Sequence, residues 1–286
     1  MKTQKRLYVD VHLLQTVPPS CVNRDDTGSP KTAIYDGAVR ARVSSQSWKR
    51  AVRLFFRESV SKDLLAVRTK RMIDLVSDEI SKIGTIDDPD GAARRVLEAA
   101  GVKVSEKDNT TGALFLISYA QAKGLATLVH QYPEVIAAKP SKDAKLQAAR
   151  VIKDKPGIEI ALFGRMVADD PSLNTDACAQ VAHSISTHKV INEYDYFTAV
   201  DDLAPEDNAG AAHIGTVEYN ASTLYRYATI AVHELQKHLQ EDTATAVHRF
   251  VEAFVCSMPT GKQNTFANRT LPDAVLVTLR DDQPIN

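Results

Sequence analysis

Two adjacent carboxylates, Asp25 and Asp26, stand a short distance before a strongly cationic segment of this 286-residue chain. Paired carboxylates beside a phosphate-binding surface can hold a divalent cation, which would suit metal-dependent cleavage of RNA. A structural role is the alternative, in which the two acids cap or brace their loop and pair with Arg24. These residue types alone leave both interpretations open.

The cationic segment, residues 42–57, has the pattern of a helix with two different faces. Ser44 and Ser45 stand where a helix N-cap is wanted, because a short hydroxyl can accept from the unpaired N–H groups of the first turn. At 100° per residue the apolar and the basic side chains fall on opposite sides. The apolar side carries Trp48, Ala51, Val52, Phe55 and Phe56, and the basic side carries Lys49, Arg50, Arg53 and Arg57. We therefore expect one face in the core and the other towards an anion.

Positive charge is concentrated around this helix. Between Lys31 and Arg57 there are seven Lys or Arg residues and one acid, Asp36, whereas the whole chain has a net charge of -1. A cationic stripe beside a helix N-terminus rich in Ser and Gln donors suits phosphate oxygens. An ordinary solvated helix face would give the same pattern, so the flanking sequence has to decide.

The composition is that of a globular protein, with 44% hydrophobic residues. Its length allows one large domain with an insertion or two modest domains. Cys21, Cys178 and Cys256 are far apart and lack metal-ligand spacing, which argues against a disulfide framework or a zinc module. We see no apolar run long enough for a signal peptide or a membrane span and expect a cytoplasmic protein.

The order of predicted elements indicates an α+β fold. A strand begins at Leu7, because Leu7, Val9 and Val11 alternate with more polar residues. A polar loop at 18–37 and the cationic helix follow, and then a helical segment at 61–155 that we interpret as an insertion. The second half contains predicted strands at 158–163, 179–190, 224–232 and 274–279, a hairpin with arms at 194–202 and 212–216, a helix at 243–258 and a polar loop at 259–265. Without insertion and hairpin the order approximates β-α-β-β-α-β, the ferredoxin or RRM-like frame.

Five blocks, in this order, carry a resemblance to a known family. They are SCVNRDD at 20–26, RVSSQSWKRA at 42–51, GRM at 164–166, YFTAVDDL at 196–203 and AHIGT at 212–216. Together they closely resemble the CasC-type backbone subunit, which binds CRISPR RNA in the type I-E CRISPR Cascade complex. The match spans almost the whole chain and is weakest in the helical insertion.

The resemblance implies an architecture and a set of partners. It implies an RRM-like palm at 1–60 and 156–286, a helical finger at 61–155 and a protruding β-hairpin thumb at about 193–218. Several copies would stack along CRISPR RNA as a filament, beside other Cascade subunits, and display the spacer bases for pairing with target DNA. Neither a membrane nor a metal or other cofactor is implied.

The resemblance also implies roles for individual residues. Those expected to hold the RNA backbone are Arg24, Lys31, Ser44, Gln46, Lys49 and Arg53. Those expected to wedge between bases are Met166, Tyr196, Phe197, Thr198 and Ile214. Type I backbone subunits are scaffolds, so a non-catalytic role is expected. The alternative is a metal-dependent endoribonuclease of a related CRISPR effector that uses Asp25 and Asp26.

Overall fold

The computed structural model describes residues 6–105, 109–167, 170–199, 203 and 213–286. Helices and an antiparallel sheet are both present, so the predicted α+β class is confirmed. The strands are β1 (Tyr8–Ser20), β2 (Thr32–Tyr35), β3 (Ala38–Val43), β4 (Ala66–Thr69), β5 (Phe115–Ser118), β6 (Ala179–Val181), β7 (Ser184–Ser186), β8 (Glu193–Ala199), β9 (His213–Ala231) and β10 (Ala274–Arg280).

The α-helices are numbered in chain order. They are α1 (Ser45–Ser59), α2 (Met72–Ile83), α3 (Pro89–Ala99), α4 (Tyr119–Gln131), α5 (Lys142–Lys153), α6 (Gly157–Phe163), α7 (Val232–Leu239), α8 (Thr243–Cys256) and α9 (Gln263–Phe266). Among these described helices, none is both long and apolar enough to cross a membrane.

The main sheet has the order β10-β1-β9-β7-β3-β2, with β6 and β8 also paired to β9. All of its pairings are antiparallel, and Val11 on β1 lies opposite Ala228 on β9 and Val277 on β10. Val9, Val11 and Leu13 are buried, as the period-two pattern predicted. Side chains such as Trp48 on α1 and Phe250 on α8 belong to the same core cluster. Complete burial of a side chain of this size contributes about 1.5–3 kcal/mol.

Arg226 on β9 fixes the inner face of α1. Its guanidinium carbon lies 3.7 Å from the ring centroid of Trp48 and 4.6 Å from that of Phe254. It donates to Gln15 Oε1 at 2.6 Å and to the carbonyl of Phe254 near the C-terminus of α8, where helix carbonyls lack intrahelical partners. Burial lowers the pKa of Arg226 to about 9, so the group stays charged at neutral pH. Trp48 Nε1 donates to Ser184 Oγ at 2.9 Å, which holds the same helix against β7.

A second core lies between α2, α3, α4, α5 and the two-stranded sheet of β4 and β5. Its fully buried side chains include Met72, Ile73, Ile80, Leu97, Ile117 and Leu125, and Leu173 from beyond the insertion also belongs to it. This cluster is called the second core below. Because Leu173 is part of it, the segment after α6 is packed against the insertion.

Several predicted elements need correction. Residues 158–163 form helix α6 rather than a strand, because a short apolar run fits either conformation. The loop at 18–37 is shorter than expected, since β1 continues to Ser20 and β2 occupies Thr32–Tyr35. Residues 179–190 contain two short strands, and the insertion contains β4 and β5 as well as helices. Helix α7 was not predicted, and α9 begins within the expected loop at 259–265.

Candidate nucleic-acid interface

Asp25 braces the loop that precedes β2. Its Oδ1 accepts from the backbone N–H of Thr27 at 2.9 Å, from Thr27 Oγ1 at 2.7 Å and from the N–H of Ser29 at 3.1 Å. These bonds, with that from the Thr27 hydroxyl the strongest influence, lower the pKa of Asp25. Asp25 therefore braces its loop, as the structural alternative expected, but the expected pairing with Arg24 is absent among the described ion pairs, and Asp26 is exposed.

Helix α1 begins where the sequence predicted but is capped differently. Ser44 occupies the N-cap position, yet its side chain accepts no bond from the first turn, so that part of the prediction was wrong. The backbone N–H of Ser44 instead donates to Asn23 Oδ1 at 2.9 Å. The first turn contains no acidic residue. The positive end of the α1 macrodipole is therefore not neutralised by its own first turn.

An open cleft of about 570 Å³ runs between the Asp25 loop, the outer side of α1 and the segment around Pro259. Arg24 and Arg50 are exposed and line it, together with Ser47 and both carboxylates. Burial raises the pKa of the Cys21 thiol, and the positive charges of Arg24 and Lys262 partly offset this increase. Lys262 therefore lies close to Cys21, as Arg24 does. The cleft thus has a mixed wall, cationic along α1 and acidic at the loop.

Lys31 lies in a different environment from Arg24. It contributes to a small cavity with Arg42 and Asn220 near the C-terminal end of β3. Arg42 Nη1 lies 3.2 Å from Nδ1 of His183. Burial, followed by the charges of Arg42 and Lys31, lowers the pKa of His183. Arg42, Lys31 and a largely neutral imidazole therefore form a second cationic group beside the α1 N-terminus.

Lys49 and Arg53 are less accessible than a solvated stripe requires. Lys49 Nζ lies 5.8 Å from the ring centroid of Phe163, and burial lowers the Lys49 pKa. Arg53 Nε donates to Glu159 Oε1 at 2.7 Å, and the Glu159 side chain is fully buried. The second carboxylate oxygen of Glu159 accepts from the N–H of Ala66. Arg53 is therefore occupied by an internal carboxylate, whereas Lys49 is half-buried above an aromatic ring.

Ser44 is also buried, while Gln46 in the first turn of α1 is exposed. The six residues expected to hold an RNA backbone thus divide by accessibility. Arg24 and Gln46 are exposed, Ser44 is buried, and Lys31, Lys49 and Arg53 are half-buried, with Arg53 bound to Glu159.

Met166 is more exposed than Tyr196, Phe197 and Ile214, with 84% of its surface accessible. It follows α6 by three residues and so lies within roughly 11 Å of Phe163, since three extended residues span no more. Phe163, the last residue of α6, is the residue whose ring lies 5.8 Å from Lys49 Nζ.

The other wedge residues lie on two faces of the β8–β9 hairpin. Tyr196 pairs with Thr216, and Thr198 pairs with Ile214, so these four side chains share one face. Phe197 pairs with Gly215 and projects to the opposite face, because neighbours along a strand alternate. Tyr196, Phe197, Thr198 and Ile214 are all exposed. The predicted arms at 200–202 and 212, and the loop at 205–210 between them, lie outside the described residues.

Phe197 lies so close over Gly215 that a side chain at this position would displace the ring. A Cβ atom on Gly215 would come within 2.3 Å of Phe197 Cζ. The glycine therefore lets the aromatic ring lie flat across the opposite strand, and this ring position depends on the absence of a side chain.

The hairpin base is tied to the Asp25 loop. Asn192 Nδ2 donates to Glu218 Oε1 at 2.6 Å, and Asn220 Nδ2 donates to Asn192 Oδ1 at 2.9 Å. Asn220 also pairs with Ser20 at the end of β1, directly before the loop. Hairpin, loop and α1 are consequently parts of one surface, which we call the groove.

Sequence reasoning missed the cleft role of Arg50 and Ser47 and the proximity of Lys262. The signal for Arg50 was present in the basic helix face. Lys262 could not be found in this way, because it approaches Cys21 only through folding: Gly261 lies so close to the carbonyl of Val22 that a Cβ would be 2.1 Å away. In the part of the chain that the structure describes, no three His, Cys, Asp or Glu side chains are grouped as metal ligands.

Comparisons with known proteins identify a family and similar solved structures. Residues 9–286 match the profile of the family described as CT1975-like protein. A search of the curated proteins finds no match. Among solved structures, a chain of a "CRISPR RNA-guided surveillance complex, pre-nicking" is 36% identical and superposes with a TM-score of 0.83. The alignment covers 98% of this chain and 80% of that chain. A chain of a "CRISPR RNA-guided surveillance complex" is 31% identical with a TM-score of 0.69, covering 98% and 78%.

Proposed function

This chain belongs to the CT1975-like protein family, and we propose that it is a non-catalytic, RNA-binding backbone subunit of a type I-E CRISPR surveillance complex. Several copies would polymerise along CRISPR RNA, hold its phosphate backbone and display spacer bases to target DNA. Other Cascade subunits would complete the assembly, which would act in the cytoplasm. Both similar structures are chains of RNA-guided surveillance complexes, which supports the backbone role.

The observation that carries the proposal is the two-faced hairpin, which lies in the groove together with the cationic side of α1. Tyr196, Thr198 and Ile214 present one exposed surface, and Phe197 presents another on the opposite face. A hairpin inserted between two bases would contact one base with each face. Apolar and aromatic contacts of this kind accept any base, because every base has a stacking face, and are worth about 1–3 kcal/mol per base.

The phosphate backbone would be held along α1. The first turn of α1 has no acidic residue and no side-chain cap, so its dipole is available to a phosphate. Arg24 supplies an exposed charge at the cleft, and Lys31 and Gln46 supply further donors beside the same helix end. Burial destabilises the charged form of Lys49, and a bound phosphate would restore that balance. Contacts to phosphate leave base edges free, as a guide-holding protein requires.

The architecture supports the same assignment. The sheet order β10-β1-β9-β7-β3, with α1 after β3 and α7 and α8 after β9, supports the proposal of an RRM-like palm. The second core would form the finger, and the β8–β9 hairpin would form the thumb.

The endoribonuclease alternative has weaker support. A carboxylate that activates water through a metal needs free oxygen lone pairs, whereas Oδ1 of Asp25 already accepts three bonds from its own loop. In the described residues no third His, Cys, Asp or Glu side chain joins Asp25 and Asp26 as a metal ligand.

The test is to express the protein with and without a CRISPR array, extract the bound RNA, and incubate a parallel sample with Mg²⁺. Intact RNA of discrete guide length that resists Mg²⁺ supports the scaffold. Cutting at regular intervals that Asp25→Ala or Asp26→Ala abolishes would replace it with the nuclease. Recovery of no RNA would overturn autonomous RNA binding.

A further inference from the structure

The turn that carries Met166 is anchored on both sides of the exposed residue. On its N-terminal side, Arg165 donates its backbone N–H to the carbonyl of Thr175 and accepts from the N–H of Thr175, each at 2.9 Å. On its C-terminal side, the N–H of Val167 donates to Asn174 Oδ1 at 2.6 Å. A single exposed methionine is therefore held between two fixed neighbours.

The Arg165 side chain extends this anchor into the second core. Nε donates to the carbonyl of Leu173 at 3.0 Å, Nη1 to that of Leu116 at 3.3 Å and Nη2 to that of Ile152 at 3.1 Å. The guanidinium carbon also lies 5.0 Å from the ring centroid of Phe115. These acceptors come from β5, from the C-terminal turn of α5 and from the 171–173 turn, so one side chain joins three separate segments.

The charge of Arg165 is balanced by dipoles rather than by a carboxylate. Each of its bonds named above ends on a neutral oxygen, and Ile152 lies in the last turn of α5, where the helix dipole favours a cation. Burial lowers the pKa of Arg165 to about 10. A buried cation that depends on several carbonyls has a strongly determined orientation, because each lost bond leaves an unsatisfied group.

Gly164 makes the approach possible. Its φ of 77° lies in the left-handed region, and a Cβ there would be 2.9 Å from the carbonyl oxygen of Thr175. The chain can turn from α6 into the Arg165–Thr175 pairing only with glycine at this position.

We propose that Arg165, together with Asn174, is a positioning residue for Met166, and that through Arg165 the second core sets where Met166 meets the nucleic acid. The inference rests on the proposed function, in which Met166 contacts a base. Neither residue needs to touch RNA. A rearrangement of α5 or β5 would move Met166, so the finger and the base wedge are mechanically coupled.

The experiment uses ¹³C-methyl methionine NMR with single-stranded RNA of mixed sequence. The chain has four methionines, which include the exposed Met166 and the fully buried Met72 of the second core. Met166→Leu assigns the Met166 signal. The full-length variants are Arg165→Gln, Asn174→Ala and, as a matched control on the exposed side of α3, Arg95→Gln.

We expect RNA to shift the Met166 signal in the unmodified protein and in Arg95→Gln, and to shift it several-fold less in Arg165→Gln and Asn174→Ala. The Met72 signal should keep its position in Asn174→Ala, which shows that the second core is intact. The slope of RNA affinity against salt should stay unchanged there, because no phosphate contact is lost.

An RNA-induced Met166 shift of full size in Asn174→Ala would overturn the inference, and so would one in a folded Arg165→Gln. If Arg165→Gln does not fold, Asn174→Ala decides alone. A Met166 signal that ignores RNA in the unmodified protein, which nevertheless binds RNA, would overturn both this inference and the wedge role of Met166. Failure to bind RNA at all would overturn the proposed function itself.

Discussion

Arg53 on α1 and Glu159 on α6 form a 2.7 Å ion pair whose carboxylate is fully buried. The same carboxylate accepts from the N–H of Ala66 at the start of β4. The pair therefore joins the groove helix to the strand that opens the second core. Arg53, expected from the family resemblance to hold RNA, has a structural partner within the chain, and this gives it a role that can be tested without RNA.

Arg53→Ala should lower the free energy of unfolding by about 3–5 kcal/mol, because it leaves the Glu159 carboxylate buried without its partner. Urea denaturation followed by circular dichroism measures this. Arg57→Ala, at an exposed position one turn later on α1, is the matched control and should change the free energy by no more than about 0.5 kcal/mol. Equal values for the two variants would show that the ion pair contributes nothing to stability.

RNA affinity should depend on Lys49 and Arg24 in a sequence-independent way. For Lys49→Ala and for Arg24→Ala we expect the log-log slope of affinity against salt to fall by about 0.7 per lost contact to single-stranded RNA. Fluorescence anisotropy with two unrelated RNA sequences measures this slope. Lys237→Ala, whose ammonium group pairs with Glu234 at 2.6 Å on α7, is the control. If Lys49→Ala leaves the slope unchanged, Lys49 does not contact the RNA backbone.

The two faces of the β8–β9 hairpin should be separable by mutation. Gly215→Ala would displace the Phe197 ring, because the new Cβ would lie 2.3 Å from Cζ. On the other face, Tyr196 would still pair with Thr216, and Ile214 with Thr198. We expect Gly215→Ala and Phe197→Ala to weaken the regular spacing of nuclease footprints on bound RNA without unfolding the protein. Thr216→Ala, on the Tyr196 face, is the control for Gly215→Ala. Footprints with unchanged periodicity in both variants would refute a wedge role for Phe197.

The sequence predicted those elements whose periodicity is long and clear. β1 and α1 follow from alternation and from the two helix faces, and the five blocks indicated a relative of CRISPR surveillance-complex subunits, which the comparisons support. The failures have physical causes. Residues 158–163 are apolar except for Glu159, and a run this short shows no period that separates helix from strand. The sequence also does not reveal that the Ser44 side chain makes no capping bond or that the N–H of Ser44 donates to Asn23 from the preceding loop.

The candidate site was predictable in residue type but not in accessibility. A basic helix face does not reveal that Arg53 meets a buried carboxylate 106 positions later, or that Lys49 lies above Phe163. Likewise, alternation along one arm places Phe197 and Tyr196 on different faces of the hairpin. Only the register with β9 puts Gly215 beneath the Phe197 ring. Long-range pairing decides these features, and a local pattern carries no information about it.

Acid should destabilise the protein through Asp10 on β1. Burial alone would raise the pKa of Asp10, but the Thr229 hydroxyl, followed by the N–H of Ile285, the Tyr227 hydroxyl and the Arg280 guanidinium, outweighs it, so the pKa lies below its ordinary value of 3.8. An acid with a lowered pKa in the folded state contributes stability above pH 3.8, and that contribution is lost as the pH falls through the folded value. Urea midpoints should therefore decrease below about pH 4, less steeply for Asp10→Asn and by an intermediate amount for Tyr227→Phe. If Asp10→Asn kept the full acid dependence, other carboxylates would have to account for it.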